Sequence, residues 1–503
     1  MRTCALLAAA LLPATGCASG PGGRTDPTET ATRNELVARE IEAIVDTPPL
    51  DGVNFGILAI DVRTERTLYA RNADRRFIPA SNQKVSVSVA ALGLLGTEHR
   101  YRTEVWATGS SLGQTLDGDL VLIASGDPSF SDRFRASGEA ALYAIADSLY
   151  ATGLRHVTGS IFVDVSAWDS ASVGPTWEVE DLRYGYGATG GAFSIDEGLI
   201  RIVASAGPAV GSPANISWRP RGTEDFVVAR VETVRPGERT RVSPSYLPES
   251  RKLRLEGEIA WGEVDTLAFA IRDPVRQATA ALARSIRERG IAVEGTAQVA
   301  WVDSMRVGRG CLSGSVRECA NASHLVTFES PPMAELVKAV LEASQNWIAE
   351  QIIRTLGAEK GDDGSWREGV RVMREFLADE MRIDAAHFSP HDGSGLSAYN
   401  LVSPMGMVRL LNRTRAESYG PQLYDALAAP GEEDSTLESR LLDLEGRLAA
   451  KTGTISNVNS LSGYLTTASG REVVFSILSN GSGMPANEVR RKIDDVVRVL
   501  ARY

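Results

Sequence analysis

The chain predicts an α/β (α+β) fold: a core built from both chain ends around an antiparallel sheet, with a large β-rich insertion forming two extra lobes. Three observations predict it. Near the N-terminus NFGILAIDV and RTLYARN run apolar or alternate around a polar turn, which is the pattern of two antiparallel strands. Near the C-terminus RLAAKTGTI, SLSGYLTTA and EVVFSILSNG repeat that pattern with Gly or Asn at their turns, so strands from the two ends can share one sheet. Between about residues 98 and 324, short β-like runs such as DGDLVLIASG, SIFVDVS, ANISWRP, FVVARVETV and KLRLEGEIA alternate with Gly/Pro-rich turns, and few helices are expected.

A chain of 503 residues is too long for one ordinary domain, and its 43% hydrophobic and 23% charged content supplies material for real cores. Its net charge of −11 comes without a basic stripe or a run of like charge. That argues against a nucleic-acid partner and against electrostatic adhesion to anionic lipid or wall polymers.

Residues 1–17 read as a signal peptide: one basic residue, a short apolar run, then small residues ending at Cys17. Ala14-Thr15-Gly16-Cys17 resembles a bacterial lipobox, although Leu is more usual where Ala14 stands. On that reading Cys17 is lipidated and anchors a lipoprotein to the membrane; the alternative is ordinary cleavage among the neighbouring small residues. Either reading exports the chain to the cell envelope or periplasm. Residues 18–33, rich in Gly, Pro, Thr and Ser, are expected to form a flexible tether.

Residues 34–97 then form the first part of the core, with a helix over KVSVSVAALGLLG. Residues 98–324 form the inserted, nested lobes, closed by a helix at PVRQATAALARSIRERG and a strand at TAQVAWV. Residues 325–503 return to the core. PPMAELVKAVLEA, NWIAEQIIRTLG and SWREGVRVMREFLADEM show helical spacing, and ANEVRRKIDDVVRVLARY closes with Val489, Ile493, Val496, Val497 and Leu500 on one face.

Of four cysteines, Cys4 leaves with the signal, and Cys311 and Cys319 in GCLSGSVRECA read as a disulfide pinning a short loop in an oxidising compartment. A zinc site is the weaker alternative, because no Cys or His cluster accompanies the pair. His387 and His391 have the best histidine spacing but lack a helical context, so they read as surface or loop residues, and no metal or cofactor is expected.

Lysine is scarce: six residues, against 53 basic residues in all. One of the six, Lys84, stands three residues after Ser81 at the expected first turn of a helix, where positions i and i+3 share a face. A serine hydroxyl needs a neighbour to take its proton, and a desolvated lysine, unlike arginine, can be that base. A helix N-terminus also favours developing negative charge. The bland alternative is that Ser81 is only an N-cap.

Two further stretches weigh against it. Lys451-Thr452-Gly453-Thr454 lies on an expected strand whose glycine leaves room for a ligand. Ser344-Gln345-Asn346 lies at a helix–helix junction, where a hydroxyl and an amide can project into a cleft. The ordered set S-x-x-K, S-x-N, K-T-G resembles that of the penicillin-recognising serine enzymes. With LVLIASGDPSF and HDGSGLSAYNLVSP, the chain from about residue 50 onward resembles the penicillin-binding protein 4 type of D-alanyl-D-alanine carboxypeptidase/endopeptidase. The interval from Lys84 to Ser344 matches the large insertion of that family.

The resemblance implies a penicillin-binding, β-lactamase-like transpeptidase core. It implies that Ser81 is the nucleophile, Lys84 its base, Ser344 with Lys84 or Lys451 a proton relay, and Asn346 a binding or positioning amide. Lys451 and Thr452 bind the terminal carboxylate, and the N–H groups of Ser81 and Thr454 form the oxyanion hole beside Gly453. The implied substrates are peptidoglycan stem peptides, with β-lactam antibiotics as covalent inhibitors. Trp177, Glu180 and Tyr186 in TWEVEDLRYGYGA match the family's substrate-facing segment, with Val179 where an aromatic and Glu180 where Asp is common; the alternative is that Trp177 and Tyr186 are lobe core. Asp392 and Ser394 are expected to shape a turn at the cleft rim. A β-lactamase using the same triple, or a non-catalytic peptidoglycan-binding envelope protein, are the rival functions.

Overall fold

The computed structural model describes residues 27–221, 227–246, 252–301 and 321–503. The signal segment, Cys4, Cys17, Cys311 and Cys319 lie outside the described residues.

Period-2 alternation builds the core sheet. Its five strands run, edge to edge, Leu448–Ile455, Val458–Thr466, Glu472–Asn480, Asn54–Asp61 and Thr67–Arg71. Every pairing is antiparallel, and Asn54–Asp61 meets Glu472–Asn480 over eight residue pairs from Asn54↔Asn480 to Asp61↔Val473. Phe55, Ile57, Ala59, Val473, Phe475 and Ile477 face one helical layer, while Leu58, Val474, Leu478 and Tyr464 face the other. The sheet therefore lies between two apolar cores, an α/β/α sandwich.

The outer layer pairs the first and last described helices, Pro27–Val45 and Ala486–Ala501. Val37, Ile41 and Val45 recur every four residues and bury against Val489, Ile493, Val497 and Leu500. Of the flexible tether expected over 18–33, residues 18–26 lie outside the described residues, and 27–33 are instead the first turns of the helix Pro27–Val45, whose later apolar stripe packs onto the sheet. The other layer holds helices Gln83–Leu94, Met333–Glu342, Asn346–Lys360, Trp366–Asp379 and Pro404–Thr414 around a core that includes Trp347, Ile352 and Leu356.

Two more cores lie in the inserted region. A seven-stranded sheet, including Arg102–Leu112, Thr115–Ile123 and Ala322–Glu329, carries helices Gly138–Ala151 and Pro274–Glu288 over one apolar core. Two three-stranded sheets share the other, with Ile200 and Ile202 from one packed among Val231 and Leu255 from the other. What matters for the site is the segment linking these lobes, residues 175–198, which returns to touch the core.

Candidate active site

Ser81 occupies the middle of a single 3-10 turn, Ala80–Asn82, that feeds straight into the helix Gln83–Leu94. The turn is bolted to the sheet edge. Asn82 Nδ2 donates to the Lys451 carbonyl (3.1 Å) and to Ser460 Oγ (2.7 Å), and Ser460 Oγ donates to the Pro79 carbonyl (2.7 Å). Gly453 sits where the two pieces cross. A Cβ there would overlap Ser460 Oγ and stand 2.9 Å from both the Pro79 oxygen and the Ser81 nitrogen, so no larger residue fits without moving the nucleophile.

Lys84, one turn along from Ser81, is fully buried. Its Nζ lies 2.8 Å from Ser81 Oγ, 2.6 Å from Asn346 Oδ1 and 2.7 Å from the Ser394 carbonyl oxygen. Burial pulls the amine down to about 7, against the opposing attraction of Glu350 and Asp392. Asn346 is a two-way tie, because its Nδ2 donates to the Tyr186 carbonyl (2.7 Å) of the inserted segment.

Asp392 and Ser394 are not at the rim; both are completely buried beneath Lys84. Asp392 accepts from Gly395 N (2.8 Å), Ser397 N (2.7 Å), Asn400 Nδ2 (2.7 Å) and Trp177 Nε1 (3.0 Å). The turn is drawn inward because a buried carboxylate must find donors, and its own backbone supplies them. Gly395, with φ +83°, lies where a Cβ would overlap the Ala80 carbonyl oxygen. Glu350 is a second buried carboxylate behind the same turn, and sequence reasoning missed it. The available signal was its place one helical turn after Asn346, an acid inside the apolar run NWIAEQIIRTLG.

Lys451 is also fully buried, and its Nζ donates to the Thr452 carbonyl (2.9 Å). Burial, with Lys84 adding its charge, holds this amine well below the ordinary lysine range. On the strand Leu448–Ile455, Thr452 is buried and Thr454 is exposed. Ser344 is half-buried in a left-handed backbone (φ +60°) at the helix junction, and among the described residues its hydroxyl has no hydrogen-bond partner. Gln345 beside it donates through Nε2 to Glu197 of the inserted segment, itself left-handed at φ +60°.

Ser81, Asn346 and Thr454 open into a cavity of about 370 Å3 that Glu178, Asp181, Tyr186, Leu396 and Ile455 also line. The structure thus brings Tyr186 to the cavity, stacked on Tyr184 at 5.4 Å, but not the other two residues expected with it. Trp177 is buried against Trp366 and bonded to Asp392, the core alternative for that residue. Glu180 is exposed and outside the lining; the acids that face the cavity are Glu178 and Asp181, because a 3-10 turn over Asp181–Arg183 swings Glu180 away. A larger cavity of about 1010 Å3, around Trp366, Arg374 and His391, contains none of the motif residues. Among the described residues no group of three or more His, Cys, Asp or Glu is placed to hold a metal. His387 is instead within hydrogen-bond distance of Ser403 Oγ (2.8 Å).

A serine and a buried, deprotonatable lysine on one helical turn, packed against a K-T-G strand beside one shared cavity, define a penicillin-recognising serine peptidase site. The family model described as the D-Ala-D-Ala carboxypeptidase 3 (S13) family matches residues 37–503, and the chain belongs to that family. It is an enzyme of the serine-type DD-peptidase class. It is 28% identical over 515 residues to the D-alanyl-D-alanine carboxypeptidase of Actinomadura sp. (strain R39), spanning 100% of this chain and 90% of that one. Its fold is similar to the crystal structure of penicillin binding protein 4 (dacB) from Haemophilus influenzae, with a TM-score of 0.77 at 23% identity, over 92% of this chain and 99% of that one. The same Haemophilus protein complexed with a novel β-lactam matches with a TM-score of 0.72 at 23% identity, over 92% and 98% of the two chains. Membership in a peptidase family weighs against the β-lactamase and non-catalytic alternatives.

Proposed function

We propose that Ser81 attacks the carbonyl of the penultimate D-Ala of a peptidoglycan stem peptide, forming an acyl-enzyme that water hydrolyses. The observation that carries this is the surroundings of the Lys84 amine. A neutral amine has two N–H donors and one lone pair, and Lys84 has two carbonyl acceptors, Asn346 Oδ1 and Ser394 O, and one hydroxyl, Ser81 Oγ. With both N–H groups engaged, the lone pair faces the serine proton. Lys84 therefore takes that proton as general base.

Ser344, free of other partners among the described residues, relays the proton to the departing amine with Lys84 or Lys451. Asn346 holds both Lys84 and the inserted segment. The N–H groups of Ser81 and Thr454 receive the developing oxyanion, a contribution of about two to three orders of magnitude in rate for one such donor. Thr452 and Lys451 take the terminal carboxylate. Glu178 and Asp181, on the cavity wall with Tyr186, suit the free amine end of a stem-peptide side chain better than Glu180 does. Penicillins enter the same route and stay as the acyl-enzyme. Export through the signal at residues 1–17, and a lipid anchor at Cys17, would set this chemistry at the cell envelope; no helix among the described residues is long and apolar enough to cross a membrane.

The test is mass spectrometry of the intact protein after incubation with benzylpenicillin, alongside Ser81→Ala. A stable adduct on the Ser81 peptide, absent from the variant, is expected. Adduct formation by Ser81→Ala would overturn the assignment, and turnover of penicillin without adduct would put the rival β-lactamase reading ahead.

A further inference from the structure

Beneath the proposed base lies a clamp that the three motifs do not include. Glu350 is buried one helical turn below Asn346. Its Oε1 accepts from Ser394 N (2.7 Å), and its Oε2 accepts from Gly393 N (3.1 Å) and Trp366 Nε1 (2.7 Å). Ser394 thus has its N–H held by Glu350 and its carbonyl held by Lys84 Nζ (2.7 Å). One peptide unit separates the carboxylate's grip on Gly393 and Ser394 from the lysine's acceptor. Asp392 closes the other side of the same turn through Gly395 N, Ser397 N and Asn400 Nδ2.

We infer that Glu350 is a positioning residue for Lys84: it fixes the 393–394 backbone so that the Ser394 carbonyl occupies one N–H of the amine, and it is the nearest negative charge on the helix that also supplies Asn346. The inference rests on the reading of Ser81 and Lys84 as nucleophile and base. It adds a residue that touches neither substrate nor serine.

The groups facing Lys84 can be named element by element. Its own turn gives Ser81; the helix Asn346–Lys360 gives Asn346 and Glu350; the 392–397 turn gives Asp392 and the Ser394 carbonyl; the strand Leu448–Ile455 gives Lys451. Around Glu350 stand Asp392, Trp366 and the buried Arg354. Burial, with Asp392 adding, pushes Glu350 up to about 7. Yet each hydrogen-bonding group that faces its two oxygens is an N–H donor, so the carboxylate is the form that fits without losing a bond. Its charge opposes the effect of burial on Lys84 and holds that amine higher than burial alone would.

Charge and reach can be separated in the full chain by the second-order rate of acylation by a fluorescent penicillin, followed from about pH 5 to 9. Glu350→Gln removes the charge and sets an amide N–H2 against N–H donors. Its rate is expected to fall about tenfold to a hundredfold, the scale of an ångström misplacement near the chemistry. Its acidic limb is expected to move to lower pH, because Lys84 loses an anion that favours its protonated form. Glu350→Asp keeps the charge but withdraws the carboxylate by one methylene, so its rate falls while its limb stays with the wild type. A Glu350→Gln rate within twofold of wild type, or a lowered rate with an unmoved limb, overturns the inference; loosened packing alone lowers the rate without moving the limb. If Glu350→Gln does not fold, Trp366→Phe carries the same test. It removes one donor to the carboxylate, leaves less negative charge near neutrality, and moves the limb the same way; an unmoved limb in that variant also overturns the inference. Wild-type protein that forms no adduct on Ser81 would instead sink the proposed function, so the two failures are distinguishable.

Discussion

The floor of the cleft and its rim are built on opposite terms. On the floor Lys84, Lys451, Asn82, Asp392 and Ser394 are fully buried, and the polar atoms of Lys84 and Asp392 are held by partners within the core. At the rim Tyr186, which lines the cavity, is 48% exposed, and Glu178 is exposed as well. The rim is tied down by a few bonds, chiefly Trp177 to Asp392 and Asn346 to the Tyr186 carbonyl. On the proposed function, the difference separates reaction from selection. Groups that must titrate or point within tenths of an ångström are locked where water cannot reach, whereas groups that meet a variable peptide stand in solvent. Floor substitutions should therefore change rate for every substrate, and rim substitutions should change preference.

Lys84→Arg is the sharpest way to break that division. A guanidinium cannot give up its proton at any working pH, so acylation by penicillin should fall by about two to four orders of magnitude. Circular dichroism should report an unchanged fold, and near-normal acylation would remove the lysine from the mechanism. Gly453→Ala should come next, losing about two to three orders of magnitude through displacement of the Ser81 N–H, read in the same assay.

The wild-type pH profile probes the floor without a mutation. Lys84 is held down to about 7 by burial, so kcat/KM for a D-Ala-D-Ala peptide should drop as the pH falls through that value and the base becomes protonated. A rate that stays level down to about pH 5 would contradict a lysine base. Trp177→Phe lies on the seam between the regions. Loss of one buried hydrogen bond to a carboxylate should cost about 1.5–3 kcal/mol of stability, measurable by denaturant unfolding.

The smallest effects belong to the rim. Glu178→Gln and Asp181→Asn should each weaken hydrolysis of amine-bearing stem peptides severalfold relative to N-acetylated ones, on the scale of a partly exposed ion pair. Glu180→Gln should leave that ratio unchanged, since Glu180 stands outside the cavity. Equal losses for both peptide types would move Glu178 and Asp181 from selection to structure.

What could be read from the sequence follows the same division. S-x-x-K and K-T-G announce themselves because each fixes chemistry within a single turn or strand, where spacing alone determines which side chains meet. The five core strands are equally plain, since period-2 alternation and Gly or Asn turns are local. The Glu350 clamp is not local: it forms where a helix meets a turn more than forty residues later, Glu350 to Ser394 being 44 positions apart. Asp392 looks like a rim residue because HDGSGLS has the composition of an exposed turn, and only packing shows that its carboxylate turns inward. At the rim the motif fixed the segment but not the phase, and a single 3-10 turn exchanged Glu180 for Asp181. The helix Gly138–Ala151 also escaped, although Ala141, Leu142, Ile145, Ala146 and Leu149 recur at helical spacing, because its neighbours are strands.

The first and last strands of the core sheet have a consequence for how the enzyme comes into being. A ribosome delivers Ser81 and Lys84 early, but the asparagine amide that meets Lys84 follows 262 residues later, and the strand that braces Asn82 follows 369 residues later. Until then the chain holds a serine and a lysine on an unbraced helix beside two strands with no sheet to join. The site proposed for catalysis is therefore complete only when the two ends of the chain have met in one sheet.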